Sequence, residues 1–224
     1  MRMRRKKHLD ERIELCKEYL IETDRTIANV NVANENKAYL DYYNLFSSNN
    51  PVCLEVGCGK GGFIVKTANV HNDKNYIAVE MMQNIIVMAM EKAKNENLTN
   101  VKFMNTGAEY LPRYIKPESI ETVYLNFSPP FPQKSYECRR LTNQRNAKNY
   151  YDFLVEGGTL IQKTDDKEFF EYSFNMFKSV GFTVKDTTEE LLSDTTNVKT
   201  EYEEKFTLKS MKIYRLHAIK ENHD

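Results

Sequence analysis

Apolar and polar positions follow two alternating periods along the chain from residue 51 onward. Short apolar runs predict buried strands, and longer segments with apolar residues three and four apart predict helices. The predicted strands span residues 52–56, 75–80, 101–104, 121–127, 159–163, 182–185 and 212–219. The predicted helices span residues 63–70, 83–96, much of 140–154, and 167–180.

This order of elements predicts an α/β fold. Strands that alternate with helices form a mostly parallel sheet with helices on both faces, and no helix is predicted between the last two strands. We therefore expect a Rossmann-like, seven-stranded sheet that ends in an antiparallel strand. Residues 51–224 are expected to form this domain. Residues 1–50, with helical patterns at 11–22 and 37–45, are expected to form a basic arm and helical extension.

Composition narrows the class of protein. A chain with 41% hydrophobic and 12% aromatic residues can build a core, so a disordered chain is excluded. The four cysteines are scattered without a Cys-x-x-Cys pair, which argues against a zinc site or a disulfide framework. No apolar stretch approaches the roughly 20 residues that cross a bilayer, and none follows the basic N-terminus as in a signal peptide. We expect a cytoplasmic protein that binds no metal ion and does not associate with a membrane.

Positive charge is concentrated in two places, although the formal net charge is zero. The first cluster is the opening MRMRRKK. The second cluster consists of Lys134, Arg139, Arg140, Arg145 and Lys148. Either cluster alone is compatible with solvated surface charge, but two clusters on a balanced chain favour a surface that follows a phosphate backbone.

A glycine-rich segment after the first predicted strand indicates a nucleotide-like ligand. Gly57, Gly59 and Gly62 match G-x-G-x-x-G between a strand and a helix. Glu80 ends the next strand, where a carboxylate can accept hydrogen bonds from a ribose diol. The glycines alone do not distinguish NAD from S-adenosylmethionine (AdoMet). Glu55 does, because an acid just before the glycines repels a diphosphate but can anchor a cationic amino-acid group, and we therefore predict AdoMet.

Other blocks of sequence extend this prediction over nearly the whole chain. They are MRMRRKK, the glycine loop after Glu55, YIAVE ending at Glu80, YLNFSPPFPQK followed by RRLT, Lys163-Thr-Asp165, and TEYEEKF from Thr200. The last block is highly specific, because taken alone it would predict only the charged start of a helix. In these blocks the chain resembles the bacterial tRNA (guanine-N7-)-methyltransferases.

The resemblance implies the fold of AdoMet-dependent methyltransferases, tRNA as partner, and a monomer or weak homodimer. It implies cofactor-binding roles for Glu55, Gly57, Gly59, Glu80, Gly107, Glu109 and Asn126. It implies substrate-binding roles for Phe131, Gln133, Lys134, Arg139, Arg140, Asp165, Thr200, Glu201, Tyr202 and Glu203.

Three positions depart from the family pattern. Pro129 and Gln133 stand where the family usually has an aspartate and a lysine. Gly107 stands near the place of an acid that contacts the adenine end of the cofactor, and Glu109 is the nearest carboxylate.

The missing aspartate does not by itself exclude the reaction. Guanine N7 has an in-plane lone pair and no proton, so no general base is needed and alignment supplies much of the acceleration. We expect Asp165 and Glu203 to act as catalytic residues that orient the guanine in place of that acid. Asp165 has an alternative role as the cap of the helix predicted from residue 167.

Three other hypotheses remain open, and one of them concerns the sequence 126–134, which three prolines stiffen. Ser128-Pro-Pro-Phe131 also fits the [Asp/Asn/Ser]-Pro-Pro-aromatic loop of methyltransferases that modify exocyclic amines. A tRNA- and AdoMet-binding protein that has lost turnover is the third hypothesis, and the departures at Pro129, Gln133 and Gly107 motivate it. An NAD-dependent oxidoreductase is a distant fourth.

Overall fold

The computed structural model describes residues 6–24, 26–195, 197–200, 202–204 and 212–221. Within these ranges one sheet carries the fold. Its strands are β1 (Leu20–Ile21), β2 (Val52–Val56), β3 (Asn75–Val79), β4 (Val101–Met104), β5 (Ile120–Asn126), β6 (Leu154–Thr164), β7 (Thr183–Asp186) and β8 (Tyr214–Ile219). The α-helices are α1 (Leu9–Glu14), α2 (Val30–Glu35), α3 (Tyr42–Phe46), α4 (Gly62–Val70), α5 (Gln83–Asn95), α6 (Gln144–Phe153) and α7 (Lys167–Ser179).

The strands lie in the order β1-β4-β3-β2-β5-β6-β8-β7. All neighbours are parallel except the two pairs that β8 makes, with β6 and with β7, which are antiparallel. The mostly parallel sheet with a terminal antiparallel strand is thus confirmed. The chain leaves β2 toward β4 on one side and returns to β5 on the other, so the sheet has its switch point between β2 and β5. Ligands in such sheets bind beyond the carboxyl ends of the strands at this point.

The expected number of seven strands was wrong by one. The additional strand, β1, falls in the segment for which the spacing predicts a helix over residues 11–22. Leu20 and Ile21 instead pair with Phe103 and Met104 at the edge of β4, and Ile21 is buried there. Pairing with an open sheet edge satisfies backbone groups that a short isolated helix would leave to water. The predicted helix therefore ends early, as α1 at Glu14.

The two faces of the sheet pack against different helices, and β2 contributes to both. Leu54 and Val56 join the core cluster that includes residues of α6 and α7, whereas Cys53 joins the cluster with α4 and α5. Because successive side chains of a strand point to opposite faces, Glu55 shares the face of Cys53. Burial on both faces makes the central strands rigid supports for the loops at their carboxyl ends.

Candidate active site

The glycine loop connects β2 to α4 at the switch point. The amides of Gly57 and Cys58 donate to the carbonyl of Val79 at 2.8 and 3.0 Å, which ties the loop to the end of β3. Gly59 has a φ of 56°, and a β-carbon built on it would meet no atom of the described residues within 4 Å. A left-handed backbone favours glycine, and the open space beside it leaves room for a ligand to approach the main chain.

Buried acceptors lie at the carboxyl ends of β2 and β5. Asn126 donates its side-chain amide to Oε1 of Glu55 at 3.0 Å, and only 2% of the Glu55 surface is exposed. Among the described residues, Glu55 Oε2, Asn126 Oδ1 and Ser128 Oγ are buried and have no hydrogen-bond partner. Burial raises the pKa of Glu55 to about 7, against the lowering effects of Asn126 and Lys163. Unsatisfied buried acceptors are costly, so this arrangement fits a bound donor.

Glu80 follows β3 directly and faces the glycine loop. Its two carboxylate oxygens accept the amides of Gly59 at 3.3 Å and Met82 at 2.8 Å. Burial raises the pKa of Glu80, and the hydrogen bonds from these backbone amides oppose that effect. The Glu80 carboxylate is therefore fixed beyond the C-terminal ends of the strands. It lies on the β3 side of the switch point between β2 and β5.

A third carboxylate lies beyond the end of β4. Glu109, in the 3-10 helix Ala108–Arg113, folds back over Gly107. Its carboxylate oxygens lie 2.5 and 2.7 Å from where a β-carbon on Gly107 would stand. The Glu109 carboxyl group thus fills the space that a side chain at position 107 would enter.

The loop after β5 has a strained backbone that Arg140 holds in place. Phe127 and Phe131 adopt left-handed φ values of 49° and 43°, which are uncommon for residues other than glycine. The Arg140 guanidinium donates to the carbonyls of Pro130 at 2.9 Å and Phe131 at 3.1 Å, and it lies 4.1 Å from the centre of the Tyr172 ring. We call residues 127–132 the acceptor loop.

The two basic residues after this loop have different surroundings. Arg139 is exposed and its guanidinium lies 4.5 Å from the centre of the exposed Tyr136 ring, whereas Arg140 is half-buried against the loop carbonyls. Gln133 and Lys134 are also exposed. The residues Arg2, Arg4 and Arg5 of the predicted basic arm lie outside the described residues.

Asp165 follows β6 and is exposed. The cap of α7 is its neighbour Asp166, whose carboxylate accepts the amide of Phe169 at 2.8 Å. The alternative capping role considered for Asp165 is therefore filled by Asp166.

The segment from Thr200 begins a short helical turn at residues 202–204. Thr200 and Glu203 form reciprocal hydrogen bonds. The Thr200 amide donates to the Glu203 carboxylate at 2.7 Å, and the Glu203 amide donates to the Thr200 hydroxyl at 3.0 Å. This is the capping box that a Thr-x-x-Glu spacing allows. Tyr202 is exposed, and Glu201 lies outside the described residues.

Comparison with known proteins identifies the family. Residues 49–216 match the family model described as "Putative methyltransferase". The tRNA (guanine-N(7)-)-methyltransferase of Oceanobacillus iheyensis is 42% identical over 176 residues, covering 78% of this chain and 83% of the relative. The enzyme of the same name from Streptococcus agalactiae is 34% identical over 97% of this chain and 99% of its own. The chain belongs to the tRNA (guanine-N7-)-methyltransferase family.

Solved structures of other methyltransferases share the fold of this chain, although their sequences are only distantly similar. The 16S rRNA methyltransferase KamB has a TM-score of 0.59 at 13% identity, covering 83% of this chain and 96% of its own. Phosphoethanolamine N-methyltransferase 2 of Haemonchus contortus, in complex with S-adenosyl-L-methionine, has a TM-score of 0.51 at 15% identity, covering 77% of this chain and 49% of its own. These similarities establish the fold, an AdoMet-dependent methyltransferase fold, as the sequence predicts.

The residues of this tRNA (guanine-N7-)-methyltransferase family member fit AdoMet. In the part of the chain that the structure describes, the buried oxygens at Glu55, Asn126 and Ser128 have no partner and match an ammonium donor, and the space at Gly59 matches a ligand that passes close to the loop. In the described part of the chain, no group of three or more His, Cys, Asp or Glu side chains could hold a metal ion. Nor is any helix of that part long and apolar enough to cross a membrane.

The sequence assigns no individual role to Ser128 or to Lys163. Ser128 stands within the Ser-Pro-Pro-Phe motif, and its burial close to Asn126 depends on the turn of the acceptor loop. Lys163 ends a buried strand, which is a signal in itself because a lysine is rarely buried without a partner.

Proposed function

We propose that this chain transfers a methyl group from AdoMet to N7 of a guanine in tRNA. The observation that carries the proposal is the position of the three buried oxygens of Glu55, Asn126 and Ser128 beside the acceptor loop, in a member of this family. AdoMet supplies an electrophilic methyl group on a sulfonium with a good leaving group. Glu55 and Asn126 hold its amino-acid end, Glu80 its ribose and Glu109 its adenine end.

The acceptor side needs orientation rather than a base. Because N7 has no proton to lose, a residue that grips the guanine edge and holds the ring in line is sufficient. Asp165 is exposed at the end of β6, the strand next to β5, and is assigned this contact in place of the acid absent at Pro129. Lys134 and Arg139, exposed beside the loop, meet tRNA phosphates. This substrate implies the cytoplasm as the compartment.

A second candidate is methylation of an exocyclic amine. Ser128 is the first residue of the Ser-Pro-Pro-Phe sequence, and its hydroxyl oxygen is buried without a partner among the described residues. In an amine methyltransferase such an oxygen accepts from the amino group. The family favours N7, because relatives that match nearly the whole chain carry that activity in their name.

The test is incubation of the purified protein with unmodified tRNA and methyl-labelled AdoMet, followed by hydrolysis to nucleosides. The proposal expects the label in 7-methylguanosine. Label in a nucleoside methylated at an exocyclic amine would support the second candidate. Binding of both ligands without label in any nucleoside would identify a protein that has lost turnover.

A further inference from the structure

A buried ion pair joins the sheet to the turn that follows Thr200. The ammonium of Lys163, in β6, lies 3.0 and 3.1 Å from the two carboxylate oxygens of Glu203. Their side chains are only 4% and 3% exposed. Asn197 bridges the two, since it accepts from Lys163 at 2.5 Å and donates to Glu203 at 3.0 Å. Both ions are thus paired and hydrogen-bonded, as burial requires.

Lys163 also holds the first residue of the acceptor loop, through its backbone. Its carbonyl accepts the amide of Phe127 at 2.9 Å. Lys163 is therefore hydrogen-bonded through its backbone to Phe127 and through its side chain to Glu203, the residue after Tyr202.

The two aromatic rings that these bonds position are stacked on each other. The ring centres of Phe127 and Tyr202 lie 5.4 Å apart with an angle of 21° between the planes. Tyr202 is nevertheless 55% exposed, so more than half of its surface is accessible to a further stacking partner. The stack stands at the start of the acceptor loop, one residue from Ser128. Exposed aromatic rings are the surface on which splayed nucleobases stack.

We propose that Lys163 is a positioning residue that sets Tyr202 on Phe127 as the stacking surface for the target guanine. This proposal rests on the proposed function. It also changes the role expected for Glu203 to one that its contacts support. Its carboxylate holds the turn through Thr200 and Lys163, and Tyr202, rather than Glu203, meets the base. Loss of the pair displaces the ring and leaves the side chains assigned to the cofactor in place, although the pKa of Glu55 rises without the Lys163 charge.

The absence of tryptophan from the chain allows a direct test. Tyr202→Trp introduces a single indole whose fluorescence is quenched when a guanine stacks on it. Unmodified tRNA with S-adenosylhomocysteine is the probe, and Lys163→Met in the Tyr202→Trp background is the test variant. Lys66→Met is the matched control, because Lys66 also pairs with this turn, at Glu204, but on the exposed surface where such pairs contribute little.

Quenching is expected to persist in Lys66→Met and to disappear in Lys163→Met. Methyl transfer by Lys163→Met with Tyr202 retained is expected to fall roughly 10- to 100-fold, as for loss of one stacked base. AdoMet affinity is compared at pH 8.5, above the pKa of Glu55, because loss of the Lys163 charge raises that pKa further. At this pH the affinity of Lys163→Met should change far less than its methyl transfer. Because Lys163→Met leaves a buried carboxylate unpaired, the double variant Lys163→Met/Glu203→Gln, which keeps a capping residue, serves if the single variant does not fold.

Two results would overturn different conclusions. Full quenching and full turnover in a folded Lys163→Met protein, or in the double variant, would overturn the role of Lys163 alone. Absence of methyl transfer by the unsubstituted protein would instead overturn the proposed function.

Discussion

The carboxylate of Glu109 occupies the space beside Gly107 that a side chain at position 107 would fill. The family usually carries an acid near that position, and we propose that the Glu109 carboxyl group takes its place. Glu109→Ala is expected to weaken AdoMet binding by about 1.5–3 kcal/mol, the usual range for a hydrogen bond to a charged group. Isothermal titration calorimetry measures this change.

A variant that carries the carboxyl group at position 107 instead of position 109 provides the control for this prediction. In the Glu109→Ala background the space beside Gly107 is vacant, and Gly107→Asp is expected to restore part of the lost affinity. Gly107→Asp alone should weaken binding, because the new side chain meets the Glu109 carboxylate. Unchanged AdoMet affinity in Glu109→Ala would place the adenine elsewhere.

Glu55 is expected to make AdoMet binding depend on pH. Burial raises the pKa of this carboxyl group from 4.5 to about 7 in the free protein, and a bound ammonium favours the ionised form. Affinity for AdoMet should therefore rise as the pH increases toward 7 and level off above it. The same shift makes the free energy of unfolding fall as the pH rises from 4.5 to about 7, because the native state holds the proton more tightly.

Calorimetric titration from pH 5.5 to 8.5 tests the first of these effects, and Glu55→Gln is the matched variant. The glutamine keeps an acceptor for Asn126 but cannot ionise, so its weaker binding should be nearly independent of pH in this range. A pH dependence that survives in Glu55→Gln would assign the titration to another group.

Arg139 and Arg140 are expected to differ although they are adjacent. Arg139 is exposed, so Arg139→Gln should reduce the slope of log affinity for tRNA against log salt by about 1. Arg140 binds the carbonyls of Pro130 and Phe131, so Arg140→Gln should lower the methylation rate and leave the slope nearly unchanged. Equal slopes for both variants and the unsubstituted protein would mean that neither arginine meets a phosphate.

Asp165 and Asp166 form a second adjacent pair with separable roles. Asp165→Ala is expected to lower methylation by a factor of roughly 10 to 1,000, or about 1.4–4 kcal/mol of transition-state stabilisation. Its melting temperature should not change, because Asp166 caps α7. Asp166→Ala should lower the melting temperature and spare the rate per folded molecule. A full rate in Asp165→Ala would reject its contact with guanine.

Much of the fold was predictable because it depends on local sequence. The strands at residues 52–56 and 101–104 have the predicted bounds, since burial on both faces leaves a continuous apolar run. The sequence predicts cofactor contacts for Glu55 and Glu80 from their positions at the ends of strands, and the structure places both carboxylates beside the glycine loop. The fold and the family are confirmed, whereas the roles of the individual site residues stay predictions.

The remaining features depend on contacts between distant parts of the chain. The strand β1 exists only because Leu20 and Ile21 meet the edge of β4. Arg140 lies in a basic cluster, and nothing local indicates that it points to loop carbonyls instead of solvent. The Thr-x-x-Glu spacing at Thr200 does predict a capping box. The ion pair between Glu203 and Lys163 is not predictable from local sequence, because the two residues are 40 positions apart.

The central claim, methyl transfer to guanine N7, is tested most directly with a tRNA transcript in which 7-deazaguanosine replaces guanosine. This nucleoside carries C–H at position 7, so it has no lone pair there, but it keeps the exocyclic amine. The measurement is transfer of labelled methyl groups from AdoMet to this transcript and to the unsubstituted one. Our account predicts transfer to the guanosine transcript and none to the 7-deazaguanosine transcript. Equal transfer to both would contradict it.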